Sequence, residues 1–266
     1  MRWIILCVLY AGCLLASPPH LFVVIPSYNN CKWCEDNLES VFIQTYQNWT
    51  IYYIDDCSTD GTGEIVDRYI AKRGMGSKCQ VVHNKTRLGA MENLYHSIHT
   101  ADPHSIVVTL DGDDQLADRE VFQTVVEAYA DPEVWITYGS FSWEPDGVRG
   151  GCVPLPEEVL VHASIRKFTA WVTSHLRTFY AALFQKIKKE DLMVNGKFFE
   201  ITYDVAMYLP MIEMASPNHV RYLDRILYLY NYTNPISDSR RRDFQLAVDK
   251  YIRTLPPYQP IKELFA

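Results

Sequence analysis

The chain has 266 residues, 48% of them hydrophobic, which suffices for a sizeable core in one or two domains. Its formal net charge of −7 argues against a nucleic-acid partner, so an anionic substrate must be met by local cations or a metal. Seven cysteines, an odd count with Cys7 and Cys13 in the N-terminal apolar segment, give no clean disulfide framework.

The first 19 residues read as a targeting element, either a signal peptide or a short membrane anchor. Arg2 precedes an apolar run from Ile4 to Ala16, too short for a comfortable membrane span, and Pro18-Pro19 stop it. Tyr10-Ala11-Gly12-Cys13 also resembles a bacterial lipobox. This start predicts a membrane-associated or secretory-pathway location, or a cytosol-facing anchor in a bacterial host.

From Leu21 strands and helices alternate. Leu21–Pro26 reads as a strand, and Leu38, Val41, Phe42 and Thr45 mark one face of a helix. Thr50–Ile54 is a second strand, followed by a helix on Ile65, Val66, Tyr69 and Ile70 that Gly74 and Gly76 close. Cys79–Val82 is a third strand and Met91, Leu94, Tyr95 and Ile98 a third helix. Ser105–Leu110 is a fourth strand. Val121 to Tyr129 is a fourth helix with Asp118 as its expected N-cap, and Val134–Tyr138 a fifth strand. This rhythm predicts an α/β fold: a Rossmann-like, mostly parallel sheet flanked by helices. After Ser140 it breaks. Glu144–Pro156 reads as loop, Ser164–Lys189 as a helical pattern rich in aromatic and basic residues, Val205 to Ile212 as a helix bent at Pro210, and Arg221–Tyr230 as an extended segment. No linker separates the halves, which predicts a single domain with a C-terminal extension.

The polar loops after these strands carry the chemistry. The fourth strand runs into Asp111-Gly112-Asp113-Asp114. Carboxylates packed side by side at the end of a buried strand repel one another and lose hydration. A hard divalent cation such as Mn²⁺ or Mg²⁺ would relieve both costs, since such ions take one or two carboxylates plus substrate phosphates. The plainer alternative is an Asp-Gly turn with solvated charges. The other loops are Pro26-Ser27-Tyr28-Asn29-Asn30, Asp55-Asp56 through Thr62, and His83 through Gly89. In a parallel sheet all of them meet at one edge, where ligands bind. Asp55 or Asp56 can accept from a base or a ribose, Ser58–Thr62 can cap the following helix, and Arg87 can pair with phosphate or with a surface acid. A dinucleotide-binding fold would want G-x-G-x-x-G after the first strand, and a phosphate-loop NTPase its own glycine loop; the chain has neither there.

The segments FVVIPSYNN, YYIDDCSTDGT, NKTRLGA and LDGDD, in this order and spacing, resemble the nucleotide-sugar half of family 2 glycosyltransferases, over residues 20–140. SHLRTF, TYDVAMYLPMIEMA and ILYLYNYTNP resemble the acceptor-side half, within 141–266. The resemblance implies the GT-A fold and inverting transfer from a nucleotide-diphosphate sugar, such as a UDP-sugar, to a hydroxyl of a glycan, lipid or protein. It implies that Pro26, Ser27, Tyr28, Asp55, Asp56, Arg87, Asp111 and Gly112 bind the donor, with Asp111, Asp113 and Asp114 as ligands of Mn²⁺ or Mg²⁺. It also implies that Asp204 is the catalytic base. Tyr203 stands where the family pattern has Glu, which departs from an acidic pair. A module that binds a nucleotide sugar without turnover is the competing class.

Four further features have bland alternatives. Asp204 can serve simply as an N-cap. His175 and Arg177 can contact acceptor or phosphate, or can sit on a packed helix with a solvated basic edge. Cys31-x-x-Cys34 lacks a second metal-binding pair, so packing is its better reading. The run Arg240–Arg242 is a solvated face or a contact to anionic lipid.

Overall fold

The computed structural model describes residues 18–162, 164–168, 170–236 and 240–265. The apolar N-terminal segment, and with it the targeting expectation, lies outside the described residues. Among the described residues no helix is long and apolar enough to cross a membrane.

The first half follows the expected alternation: β1 (Leu21–Ser27), α1 (Cys34–Phe42), β2 (Trp49–Asp55), α2 (Thr62–Arg73), β3 (Cys79–His83), α3 (Ala90–Ile98) and β4 (Ile106–Thr109). β1 pairs in parallel with β2 on one side and β4 on the other, and β3 extends the sheet beyond β2. The alternating sides of these strands feed two cores. Val23, Ile25, Ile51 and Val108 face α1 and α2, while Val24, Ile54 and Val107 face α3 and the C-terminal helices. A strand covered on both faces has no polar side, which is why β1 and β4 read as unbroken apolar runs. Each fully buried aliphatic side chain contributes about 1.5–3 kcal/mol. Gly74, at φ +69°, ends α2 in the left-handed conformation expected of it.

The elements that follow are β5 (Gln115–Leu116), α4 (Val121–Ala128), β6 (Ile136–Glu144), β7 (Val148–Arg149) and α5 (Glu157–Val161). α4 starts at Val121, not at Asp118. Asp118 instead accepts a hydrogen bond from the Glu120 amide in the turn before it. The fifth strand is longer than expected and runs through Glu144, because it pairs with β7 across the Gly147 turn and with a long partner strand.

The largest departure lies in Ser164–Lys189. The sequence predicts a helical pattern there. The structure instead has β8 (Arg177–Tyr180), antiparallel to both β4 and β6, with only a short α6 (Ala181–Gln185) behind it. Thr178 and Phe179 are wholly buried, so tertiary pairing overrides the local pattern. After the small hairpin β9 (Met193–Val194) and β10 (Lys197–Phe198) come α7 (Tyr203–Ala215), β11 (Val220–Asn231) and α8 (Arg242–Thr254). α7 runs through Pro210, and every residue from Val205 to Ala215 is buried, so its methionines are core. The large sheet has the order β3-β2-β1-β4-β8-β6-β11-β5, with β7 beside β6. Strands of both halves thus share one sheet in a mixed α/β domain, parallel through β4 and mixed beyond it.

Phe179 packs against Phe184 and meets the Tyr208 ring edge-on at 6.0 Å. Phe179→Ala is expected to cost about 3–5 kcal/mol, read as a lower urea midpoint at an unchanged m-value. A negligible shift would place residue 179 outside the core sheet.

Candidate functional site

The carboxyl ends of β1 and β4 open into one cleft. It is lined on the sheet side by Pro26, Tyr28, Asn30, Arg87 and residues 111–114, and on the other side by Tyr203, Tyr230, Asn231, Asn234 and Ile236. The loops that build it are tied together before any ligand arrives. The Asn30 amide donates to Thr62 Oγ1 at 2.8 Å, and the Cys31 amide to Asp60 Oδ2 at 3.0 Å. Asp60 also accepts from the Thr62 amide at 3.0 Å, which covers the start of α2, as expected of the Ser58–Thr62 loop.

Asp56 is a clamp for the 84–89 loop. Its carboxylate accepts from the amides of Leu88 and Gly89, at 2.9 and 2.8 Å, and from Asn84 Nδ2. That grip positions Arg87, whose guanidinium lies 3.9 Å from the centroid of Tyr28. Cation and ring form one flat wall of the cleft. Asp55 is buried, accepts from the Ser58 amide, and faces His83 at 3.3 Å. Ser27 is buried too. Ser27, Asp55 and Asp56 therefore stand behind the cleft wall, whereas Pro26, Tyr28, Arg87, Asp111 and Gly112 are on it.

Opposite lies the acidic loop. Asn37, wholly buried in α1, donates through Nδ2 to the carbonyls of Asp111 (2.9 Å) and Asp114 (2.7 Å), which fixes the turn from beneath. Each carboxylate meets a donor from the C-terminal half. Tyr203 Oη donates to Asp111 Oδ1 at 3.1 Å and Asn234 Nδ2 to Asp113 Oδ2 at 2.6 Å. Tyr228 Oη and the Asn231 amide donate to the two oxygens of Asp114, both at 2.6 Å. Burial, and then the Asp113 charge, push the Asp111 carboxyl up to about 6. The same pair of causes, with Asp111 added, drives Asp114 well above the usual carboxylate range.

Among the described residues no group of three or more His, Cys, Asp or Glu side chains forms a ready-made metal cage. The donor chemistry still suits a hard cation whose remaining ligands are phosphate oxygens. Asp111 and Asp113 bring carboxylate oxygens to the cleft, and Asp111 is held there under an electrostatic penalty that a cation relieves. Asp114, with both oxygens engaged, braces the loop instead.

Asp204 does not cap α7. Thr202, at φ +62°, occupies the N-cap position, and Asp204 Oδ2 accepts from Arg177 at 2.6 Å and from Trp171 Nε1 at 3.1 Å. Its carboxylate lines a recess with Trp171, Arg242, Gln245 and Asp249 that adjoins the cleft, near enough for the Asp204 charge to act on Asp111. Arg177 is no solvated basic edge: its side chain is 7% exposed. Burial works against its charge, but Asp204, Tyr208 and Asp111 outweigh it and hold the guanidinium above its ordinary value. His175 is buried as well, stacked on Tyr228 with centroids 4.2 Å apart, and burial holds it well below its ordinary value, hence neutral. Cys34 is wholly buried, with its thiol pushed up to about 11 by burial, in keeping with a packing role.

Sequence reasoning did not single out Asn30, Tyr230, Asn231 or Asn234. A signal was present: the apolar run of β11 ends in Asn-Tyr-Thr-Asn, a cluster of amides at a strand end.

The fold is that of the GT-A glycosyltransferases. The family model for "Glycosyl transferase family 2" matches residues 22–205, and the chain belongs to that family. It is 29% identical to the glycosyltransferase GlyG of Streptococcus pneumoniae over 221 residues, covering 78% of this chain and 69% of that protein. It is 33% identical to the putative teichuronic acid biosynthesis glycosyltransferase TuaG of Bacillus subtilis over 97 residues, 36% of this chain and 37% of that one. Among solved structures, the mannosyltransferase PcManGT of Pyrobaculum calidifontis, bound to GDP-Man and Mn²⁺, superposes with a TM-score of 0.62. It shares 21% identity over 90% of this chain and 66% of its own. S. aureus TarS in complex with UDP-GlcNAc gives 0.59 at 19% identity, over 81% and 59% respectively.

Gly112 has no room for a side chain. A Cβ there would lie 2.5 Å from Ser27 Oγ and 2.6 Å from Ser27 Cβ. Gly112→Ala is expected to cost about 1–3 kcal/mol through overpacking and to displace the acidic loop. Thermal unfolding and nucleotide titration should both register it, and an unchanged affinity would mean that the loop does not form the site.

Proposed function

We propose that this glycosyltransferase moves a sugar from a UDP-sugar to a hydroxyl of a glycan, lipid or protein, with inversion and with Mn²⁺ or Mg²⁺, in cell-envelope or glycan biosynthesis. One observation carries the reading: a single cleft sets the Arg87–Tyr28 wall against Asp111 and Asp113. A nucleoside diphosphate needs a flat face for its base, a fixed cation for its phosphates, and a hard-ion site to offset the remaining charge. Tyr28, Arg87 and the acidic pair supply these in turn. The nucleotide-sugar complexes of TarS and PcManGT, and the Mn²⁺ in the latter, support the donor class and the ion. The apolar N-terminal segment would keep the enzyme at a membrane.

In the reaction, the acceptor oxygen bonds to the anomeric carbon as that carbon's bond to the diphosphate oxygen breaks. The acceptor proton goes to Asp204. A bound cation would offset the negative charge that develops on the departing diphosphate. Arg87 adds fixed positive charge on the same side. Arg177 and Trp171 both donate to Asp204 Oδ2 and fix how the carboxylate is turned.

The ion pair with Arg177 also favours the second reading, a binder without turnover, because an engaged carboxylate is a weaker base. Asp204→Asn separates the two. Transfer and donor hydrolysis are expected to fall about 10²- to 10⁴-fold while UDP affinity stays within about twofold. A panel of UDP- and GDP-sugars, screened by thermal shift with and without Mn²⁺, identifies the donor as the one that raises the melting point most. Wild-type protein that binds a donor yet never hydrolyses or transfers it would establish the binder.

A further inference from the structure

Among the described residues the acidic loop takes hydrogen bonds from neutral donors: a phenol on Asp111, an amide on Asp113, a phenol and a backbone N–H on Asp114. Tyr203 is the contact that the family pattern does not supply, since the resemblance places Glu there. Its position is set locally. Thr202, in the left-handed region, turns the chain into α7, so that consecutive residues diverge: Tyr203 lines the donor cleft and Asp204 faces the Trp171 recess. The Tyr203 ring packs against the larger core cluster, which leaves its hydroxyl at a fixed point above Asp111.

We infer that Tyr203 is a positioning residue for the metal-ligand carboxylate Asp111. The inference deepens the proposed metal-dependent donor site and rests on that reading. The backbone of Asp111 is already held at both ends, its amide donating to Tyr228 Oη at 3.2 Å and its carbonyl accepting from Asn37. One further hydrogen bond, from Tyr203 to Oδ1, stops rotation of the carboxylate, and Oδ2 keeps its lone pairs for a cation. The chemistry of the donor matters as much as its place. A carboxylate at 203 would add repulsion beside Asp111 and Asp113, and a Lys or Arg would compete with the ion for Asp111. A phenol orients without changing the charge. The cation that balances this corner is Arg177, whose charge acts on both Asp111 and Asp204.

The test is titration of UDP, and of GDP in parallel, into the full chain and its Tyr203→Phe variant, in millimolar Mn²⁺ and in EDTA. The variant keeps the packed ring and loses only the hydroxyl. With Mn²⁺ its Kd is expected to rise about tenfold, at the lower end of what the loss of a ligand-orienting partner costs. In EDTA its Kd should equal that of the wild type, and its melting point should not move. The same shift should appear as a larger free Mn²⁺ signal in electron paramagnetic resonance at matched concentrations. Equal affinity in Mn²⁺ would overturn the inference. So would an equal loss in both buffers, which would make Tyr203 a wall of the nucleotide pocket only. Wild-type protein whose affinity is the same in Mn²⁺ and EDTA, and is untouched by Asp111→Asn, would overturn the metal reading first and this inference with it.

Discussion

Three carboxylates at the end of a fully buried strand constrain everything else in the molecule. β4 is apolar on both faces, so the chain that leaves it emerges between two hydrophobic cores, where water is scarce. Ionised groups there are costly unless each finds a donor. Asn37 fixes the loop's carbonyls from below, and residues more than 90 positions away in sequence supply the donors above. Gly112 is the hinge of the arrangement, since only a residue without a side chain lets the loop lie against Ser27.

The second half of the chain is shaped by that demand. β8 enters the sheet antiparallel between β4 and β6, and β11 then runs parallel to β6 with its end at the acidic loop. The register brings Tyr228 and Asn231 to Asp114, and the chain beyond brings Asn234 to Asp113 and to Asn30. Acids of the N-terminal half and amides of the C-terminal half are thus one hydrogen-bonded unit. This is why the two halves form one sheet and not two bodies joined by a linker.

What could be read from the sequence follows the same division. β1 to β4 and their helices obey local rules: unbroken apolar runs, a 3.6-residue stripe, and a glycine that closes α2. The loops that line the cleft could be named because a parallel sheet sends its strand ends to one edge. Ser164–Lys189 resisted because β8 is four residues long and is held by the distant strands β4 and β6; nothing local marks it as a strand. The inner roles of Asp55 and Asp56 were equally hidden. A carboxylate after a strand suits a ribose and a loop amide alike, and only three dimensions reveal that Asp56 spends its oxygens on Asn84, Leu88 and Gly89. Tyr228 lies inside the apolar run of β11 with nothing local to mark it, and the amide cluster that holds Asn234 does not reveal its partner, Asp113, 121 positions away.

Tyr203 and Asp204 show how two adjacent residues can divide the charge of the site. One neighbour, a phenol, lines the cleft beside Asp111; the other, a carboxylate, lines the Trp171 recess. Arg177, buried between them, acts on Asp111 across the first boundary and on Asp204 across the second. A guanidinium shared by two carboxylates offsets each of them less as further acids crowd it. With Glu at 203, three acids would share that one cation and the α7 entrance would need a second. With Tyr, Arg177 serves two acids there, and the phenol holds Asp111 without adding charge to the acidic loop.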